Sequence, residues 1–173
     1  MRRRLALAII GLLLTAQVRA DAVTDAFDGA IAAFERARPS LAQPESGVDL
    51  SAYRDALTLR RFASNHWGGT VLLAVVNQTT ANGECGRFAA FVRMPPDNGS
   101  ISLVLCPQFS SAGTDGLRVL TILHELVHVV AGPDECRAMA FAARIEQAAF
   151  GQFTDVSRYW QANGCAGSRF SLP

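Results

Sequence analysis

Three neighbouring residues have types and spacing suited to joint chemistry. His124, Glu125 and His128 lie in the run "TILHELVHVVAGPDECRAMAFA", residues 121 to 142. On a helix, residues i and i+4 share a face one turn apart, so both imidazoles point the same way. Two ring nitrogens so placed can reach one Zn²⁺ at ~2.0–2.1 Å. Glu125 is turned about 100° around the helix, where it can stand beside a water on the ion without being a ligand. The pattern therefore supplies two ligands and a general base for attack of water on a metal-polarised carbonyl.

The surroundings sharpen this reading. The chain has three histidines, and two of them fall among Leu120, Ile122, Leu123, Leu126, Val127, Val129 and Val130. Imidazoles and a carboxylate on so apolar a helix are costly unless they are paired or bound to a metal. An open catalytic zinc site needs three protein ligands, and two acids follow closely, Asp134 and Glu135. Gly132-Pro133 ends the helix and turns the chain, so the first turn of the next helix can return over the imidazoles. Acids at a helix start are also favoured by the helix dipole alone, and the residues by themselves leave both ligands open.

The run "ISLVLCPQF…LTILHELVHVVAG" resembles the zincin metallopeptidases, and within them the aspzincin group, over about 45 residues from Ile101 to roughly Phe141. Those enzymes follow His-Glu-x-x-His with Gly-Thr-x-Asp-x-x-Tyr-Gly. On that pattern Gly132 matches the first glycine and Glu135 replaces the aspartate ligand, while Pro133 stands for the threonine and Ala138-Met139 for Tyr-Gly. Glu135-x-x-Ala138 is also similar to the glutamate zincins, whose third ligand opens a helix. Both comparisons imply Glu135 as third ligand; the spacing of the long-motif metzincins would instead select Asp134, but Ala131 lacks their glycine. The family tyrosine that stabilises the oxyanion is missing, leaving Tyr159 and His66, with Arg137 and Arg158, as residues that could substitute. The resemblance implies a zinc-dependent peptidase acting on proteins or peptides. Its competitor is a zincin-fold protein that binds zinc or a partner without hydrolysis.

The elements that must position these residues read as α+β, with a small antiparallel or mixed sheet preceding the motif helix and a helical C-terminal part. Helices are expected over Ala22 to Arg38 and Leu50 to Ala63, the second capped by Asp49 or Ser51. Strands are expected over Thr70 to Val76, Arg87 to Met94 and Ile101 to Cys106, arranged as an antiparallel meander. Turns at Asn82-Gly83 and Pro95 to Gly99 separate them. Thr114 caps the motif helix, which ends at Ala131; a further helix runs from about Asp134 to Phe150 and a short one from Thr154 to Ala162.

Arg2 to Arg4, the apolar run Leu5 to Leu14 and Val18-Arg19-Ala20 read as a signal peptide cleaved after Ala20. A single mature domain, 21–173, is then expected to be secreted or periplasmic, with no membrane anchor in its mature form. All 16 basic residues are arginine, a composition that leans bacterial, and the acceptor patterns at Asn77 and Asn98 are then inert. Removing the signal segment leaves 12 arginines against 15 acids, a net charge of −3 that speaks against a nucleic-acid partner. The oligomeric state is not legible. Four cysteines in an exported chain favour disulfides, with three pairings open. Cys85–Cys106 is expected to staple neighbouring strands, and Cys136–Cys165 to tie two C-terminal helices.

Overall fold

The computed structural model describes residues 22–173; the segment read as a signal peptide lies outside the described residues. Helix α1 (22–37) presents Phe27, Ala30 and Phe34 to the core, then tightens into a 3-10 turn over Arg38–Ser40. Helix α2 (Leu50–Leu59) begins where the Asp49 carboxylate accepts from the amides of Ser51 and Ala52. It is shorter than the sequence suggests. Arg60 turns left-handed at φ 56, its guanidinium lies over the Phe27 ring at 3.5 Å, and the chain continues as a strand.

That strand, β1 (Arg61–Ala63), was hidden in the expected helix. It pairs antiparallel with β2 (Thr70–Asn77). After β2 come β3 (Ala90–Asp97) and β4 (Ser100–Leu105), and the sheet order is β1-β2-β4-β3. β3 and β4 form an antiparallel pair, whereas β2 and β4 run parallel, Leu73 opposite Ile101 and Val75 opposite Leu103. The sheet is therefore mixed, not an antiparallel meander. β3 reaches the outer edge, and there Pro95 and Pro96 are tolerated because an edge strand can forgo ladder donors; the β3–β4 register shifts between Arg93 and Asp97.

Alternation along the strands buries Val71, Leu73, Val92, Ile101, Leu103 and Leu105 in one core with the helices. Helix α3 (Asp115–Ala131) crosses this face, touching α2, β3 and β4 on one side and α4 (Glu135–Phe150) on another. A short helix, α5 (Ser157–Ala162), closes the C-terminal part. Thr114 stands at the α3 N-cap, but its hydroxyl donates to Ser111 O and offers no cap to the helix amides. Arg118 pairs with Asp115 and ties back to the Ser111 carbonyl.

Both cysteine pairs are disulfides with the expected connectivity, though not between the expected elements. Cys85 lies in a 3-10 turn (Gly83–Gly86) and Cys106 just beyond β4, so this bridge holds a loop to a strand end. Cys136, in the first turn of α4, meets Cys165 in the 3-10 turn after α5.

Tyr53 fixes α3 within the core. Its ring sits between Phe34 (5.0 Å) and Phe141 (4.8 Å), and its hydroxyl donates to Leu123 O at 2.8 Å, next to His124. Burial pushes this phenol well above its ordinary pKa. A raised folded-state pKa leaves stability intact below ~10 and removes it as pH rises further. Tyr53→Phe should therefore lose about 1 kcal/mol at pH 7 and show a shallower alkaline decline than the parent. Urea unfolding between pH 7 and 11 measures both.

Candidate metal centre

The site is built on one turn and two helix ends. α3 stops because Gly132 adopts φ 86, ψ −169, backbone that side chains disfavour. A Cβ there would also stand 2.5 Å from His66 Nε2. Pro133 cannot continue the helix, and Asp134 caps the next by accepting from Arg137 N at 3.0 Å. With Asp134 spent on the cap, Glu135 opens α4 and points back at the end of α3.

There it meets both histidines. Glu135 Oε2 lies 3.2 Å from His124 Nε2, and Oε1 lies 3.5 Å from His128 Nε2. The two Nε2 atoms are 3.1 Å apart. Donors on a tetrahedron with ~2.0–2.1 Å bonds are separated by roughly 3.3 Å, so these three distances fit one small cation. His124, His128 and Glu135 form the one such group among the described residues. The structure brings Glu135 to the site and leaves Asp134 outside it.

Hydrogen bonding selects the tautomer. His128 Nδ1 is 3.0 Å from Gly132 O, and a carbonyl can only accept, so Nδ1 carries the proton and Nε2 is free to ligate. Such an outer bond fixes ring orientation and raises ligand basicity. Gly132 is itself held from behind. Trp67 Nε1 donates to Val129 O at 2.7 Å, Trp67 N to Ser64 Oγ at 2.9 Å, and the Trp67 ring meets the His66 ring edge-on at 4.3 Å.

The electrostatics follow the geometry. Burial acts to raise the Glu135 pKa, but hydrogen bonds and charge from His124 and His128 outweigh it, holding the carboxyl well below its usual range. Burial likewise opposes the charged form of His128, and Glu135 with Glu125 reverses that, so its pKa is raised. Glu125 is 9 % exposed. Burial raises its pKa, the two imidazoles act against that, and Glu135 adds to it. A carboxylate so raised beside a cleft suits a general base.

Tyr159 approaches from α5. Its hydroxyl donates to Glu135 Oε2 at 3.4 Å, and its ring lies 6.3 Å from the His124 ring. Burial, then the Glu135 and Glu125 carboxylates, push its pKa up to about 12, which keeps the phenol a donor at neutral pH. The other residues considered for this role stand elsewhere. His66 and Arg137 line a separate cavity of about 240 Å³ with Asn65 and Asp49, His66 because the Trp67 bond draws its loop behind Gly132. Arg137 donates to Ala131 O. Arg158 is exposed.

Sequence reasoning missed the Trp67 clamp and the segment Arg87 to Ala90, which lines a second cavity together with His124, Glu125 and Tyr159. The cluster His66-Trp67-Gly68-Gly69 was visible only as a break in periodicity. Comparison of the chain with protein-family models, curated proteins and solved structures found no match. Among the described residues no helix is long and apolar enough to cross a membrane, and the two disulfides are bonds that persist in oxidising compartments.

Gly132→Ala should yield folded protein with divalent-metal affinity lowered by ~10–100-fold. Adding His66→Ala removes the clash but not the backbone strain, so it should recover only part of the loss. Competition titration with a chromophoric chelator reads both; unchanged affinity in Gly132→Ala would remove this carbonyl from the site.

Proposed function

We propose that this protein is a zincin-like, zinc-dependent peptidase that hydrolyses peptide bonds in proteins or peptides outside the cytoplasm. The observation that carries the reading is the convergence of His124, His128 and Glu135 on one point, with Glu125 beside them and free of that point. Two imidazoles and one carboxylate are a donor set suited to zinc with an open fourth position. Zinc so held supplies Lewis acidity, polarising a peptide carbonyl and bringing the pKa of a water toward ~7.

The chain's own residues do the rest. His128 keeps its Nε2 lone pair on the site through the Gly132 bond. The Glu125 carboxylate, lining the cleft next to His124, takes the proton of the attacking water and returns it to the departing amine. Tyr159, protonated at neutral pH and 3.4 Å from Glu135, would turn its hydroxyl from Glu135 to donate to a substrate oxygen where the family tyrosine is missing.

Purified mature protein should hold about one zinc per chain by elemental analysis. Glu125→Gln should retain that metal yet lose on the order of 10²–10⁴-fold in cleavage of an unbiased peptide library. A chelator should abolish cleavage by the parent. Full activity in Glu125→Gln contradicts the mechanism. Bound zinc with no cleavage by the parent would favour a zinc-binding protein without hydrolysis.

A further inference from the structure

Beside Glu125 the structure holds a cavity of about 280 Å³. Leu120 contributes to it from α3, Met139 and Ala142 from α4, Phe88 from the approach to β3, Ala90 from the first position of β3, and Val156 from the N-cap of α5. His124, Glu125 and Tyr159 also line it, so the cavity is continuous with the metal centre. We propose that it is a specificity pocket for a bulky, uncharged apolar side chain next to the bond to be cleaved, and that it rejects lysine and arginine. The assignment of the occupant to a substrate rests on the hydrolytic reading above; the chemistry of the pocket does not.

Size, polarity and charge support it together. An apolar cavity of roughly 150 Å³ suffices to hold benzene, so this one admits a phenyl or isobutyl group with backbone at its mouth. The Thr121 hydroxyl donates to Leu117 O at 2.7 Å, which commits its proton within the helix. Glu125 is the only carboxylate among the described residues lining the cavity, and exposed Arg87 lines it too. A lysine or arginine side chain would give up its hydration for walls that are mostly hydrocarbon, next to a like charge. Its one counter-ion would be the carboxylate that must accept the proton.

The wall is also built in advance. Gln108 Nε2 donates to Cys85 O at 2.7 Å and Phe88 O at 2.5 Å. Cys106 N donates to Ala89 O at 2.9 Å, and Cys85–Cys106 closes the same loop. A segment held at four points needs little ordering when a side chain enters, so selectivity reflects burial of apolar surface.

Two measurements on the zinc-loaded full protein test this. Mass-spectrometric mapping of a random peptide library should show leucine, methionine or phenylalanine at one position flanking the cut, preferred at least tenfold over glycine or alanine, with lysine and arginine depleted there. Val156→Phe, which fills the pocket, should move the preference toward alanine and serine, and Leu120→Ala, which enlarges it, should admit tryptophan. NMR titration with N-acetyl-leucinamide and N-acetyl-lysinamide supplies a readout free of hydrolysis. The leucine compound should shift resonances lining the pocket, and at least fivefold more weakly in Val156→Phe, while the lysine compound should not. A flat or basic cleavage profile, or equal binding of both amides, overturns the pocket. Selective binding of the leucine compound with no cleavage of any peptide overturns the hydrolytic reading and leaves the pocket standing.

Discussion

One backbone turn sets the rest of this molecule's chemistry. At Gly132 the chain leaves α3 in a conformation suited to glycine, and Pro133 prevents the helix from continuing. The reversal does two things at once. It aims the Gly132 carbonyl at His128 Nδ1, and it carries Glu135 back over both imidazoles. Without it, the histidines would be polar groups on an apolar helix and Glu135 a free acid at a helix start. Burial works against the charged forms of both His128 and Glu125; at His128 the Glu135 and Glu125 carboxylates outweigh it, whereas at Glu125 the imidazoles offset it only in part.

The remaining architecture holds the ends of that turn. Tyr53 fixes α3 one residue before His124, and Trp67 grips the carbonyl of Val129. On the other side, Cys136 follows Glu135 directly, and its bridge to Cys165 brings the segment after α5 against the first turn of α4. That bridge helps keep Tyr159 near Glu135. Two helix ends and a short helix are thus tied together where the polar groups converge. The second bridge performs the same task for the loop that walls the neighbouring cavity.

Much of this was legible in the sequence, and the gaps have physical causes. The motif helix and its stop depend on short spacings, which a sequence displays; Glu135 over Asp134 came from the zincin resemblance, and the two cysteine bridges, 21 and 29 positions long, were one of three pairings open. The parallel pairing of β2 with β4 was not legible, because strand order is decided by side chains distant in sequence meeting across the core. β1 was missed because Arg61-Phe62-Ala63 extends an amphipathic pattern; a left-handed Arg60, which sequence does not announce, ends the helix earlier. His66 was grouped with the site on residue type alone. Its true place behind Gly132 follows from the Trp67 bond to α3, a contact spanning 62 positions.

His124, His128 and Glu135 are proposed to hold one zinc ion. X-ray absorption at the zinc edge of the purified mature chain tests it most directly. A four-coordinate first shell of nitrogen and oxygen at ~2.0–2.1 Å, outer-shell scattering from two imidazoles, and a lower coordination or lost metal in Glu135→Ala are expected. A first shell containing sulfur at ~2.3 Å, one lacking the imidazole signature, or the same spectrum in Glu135→Ala would contradict it.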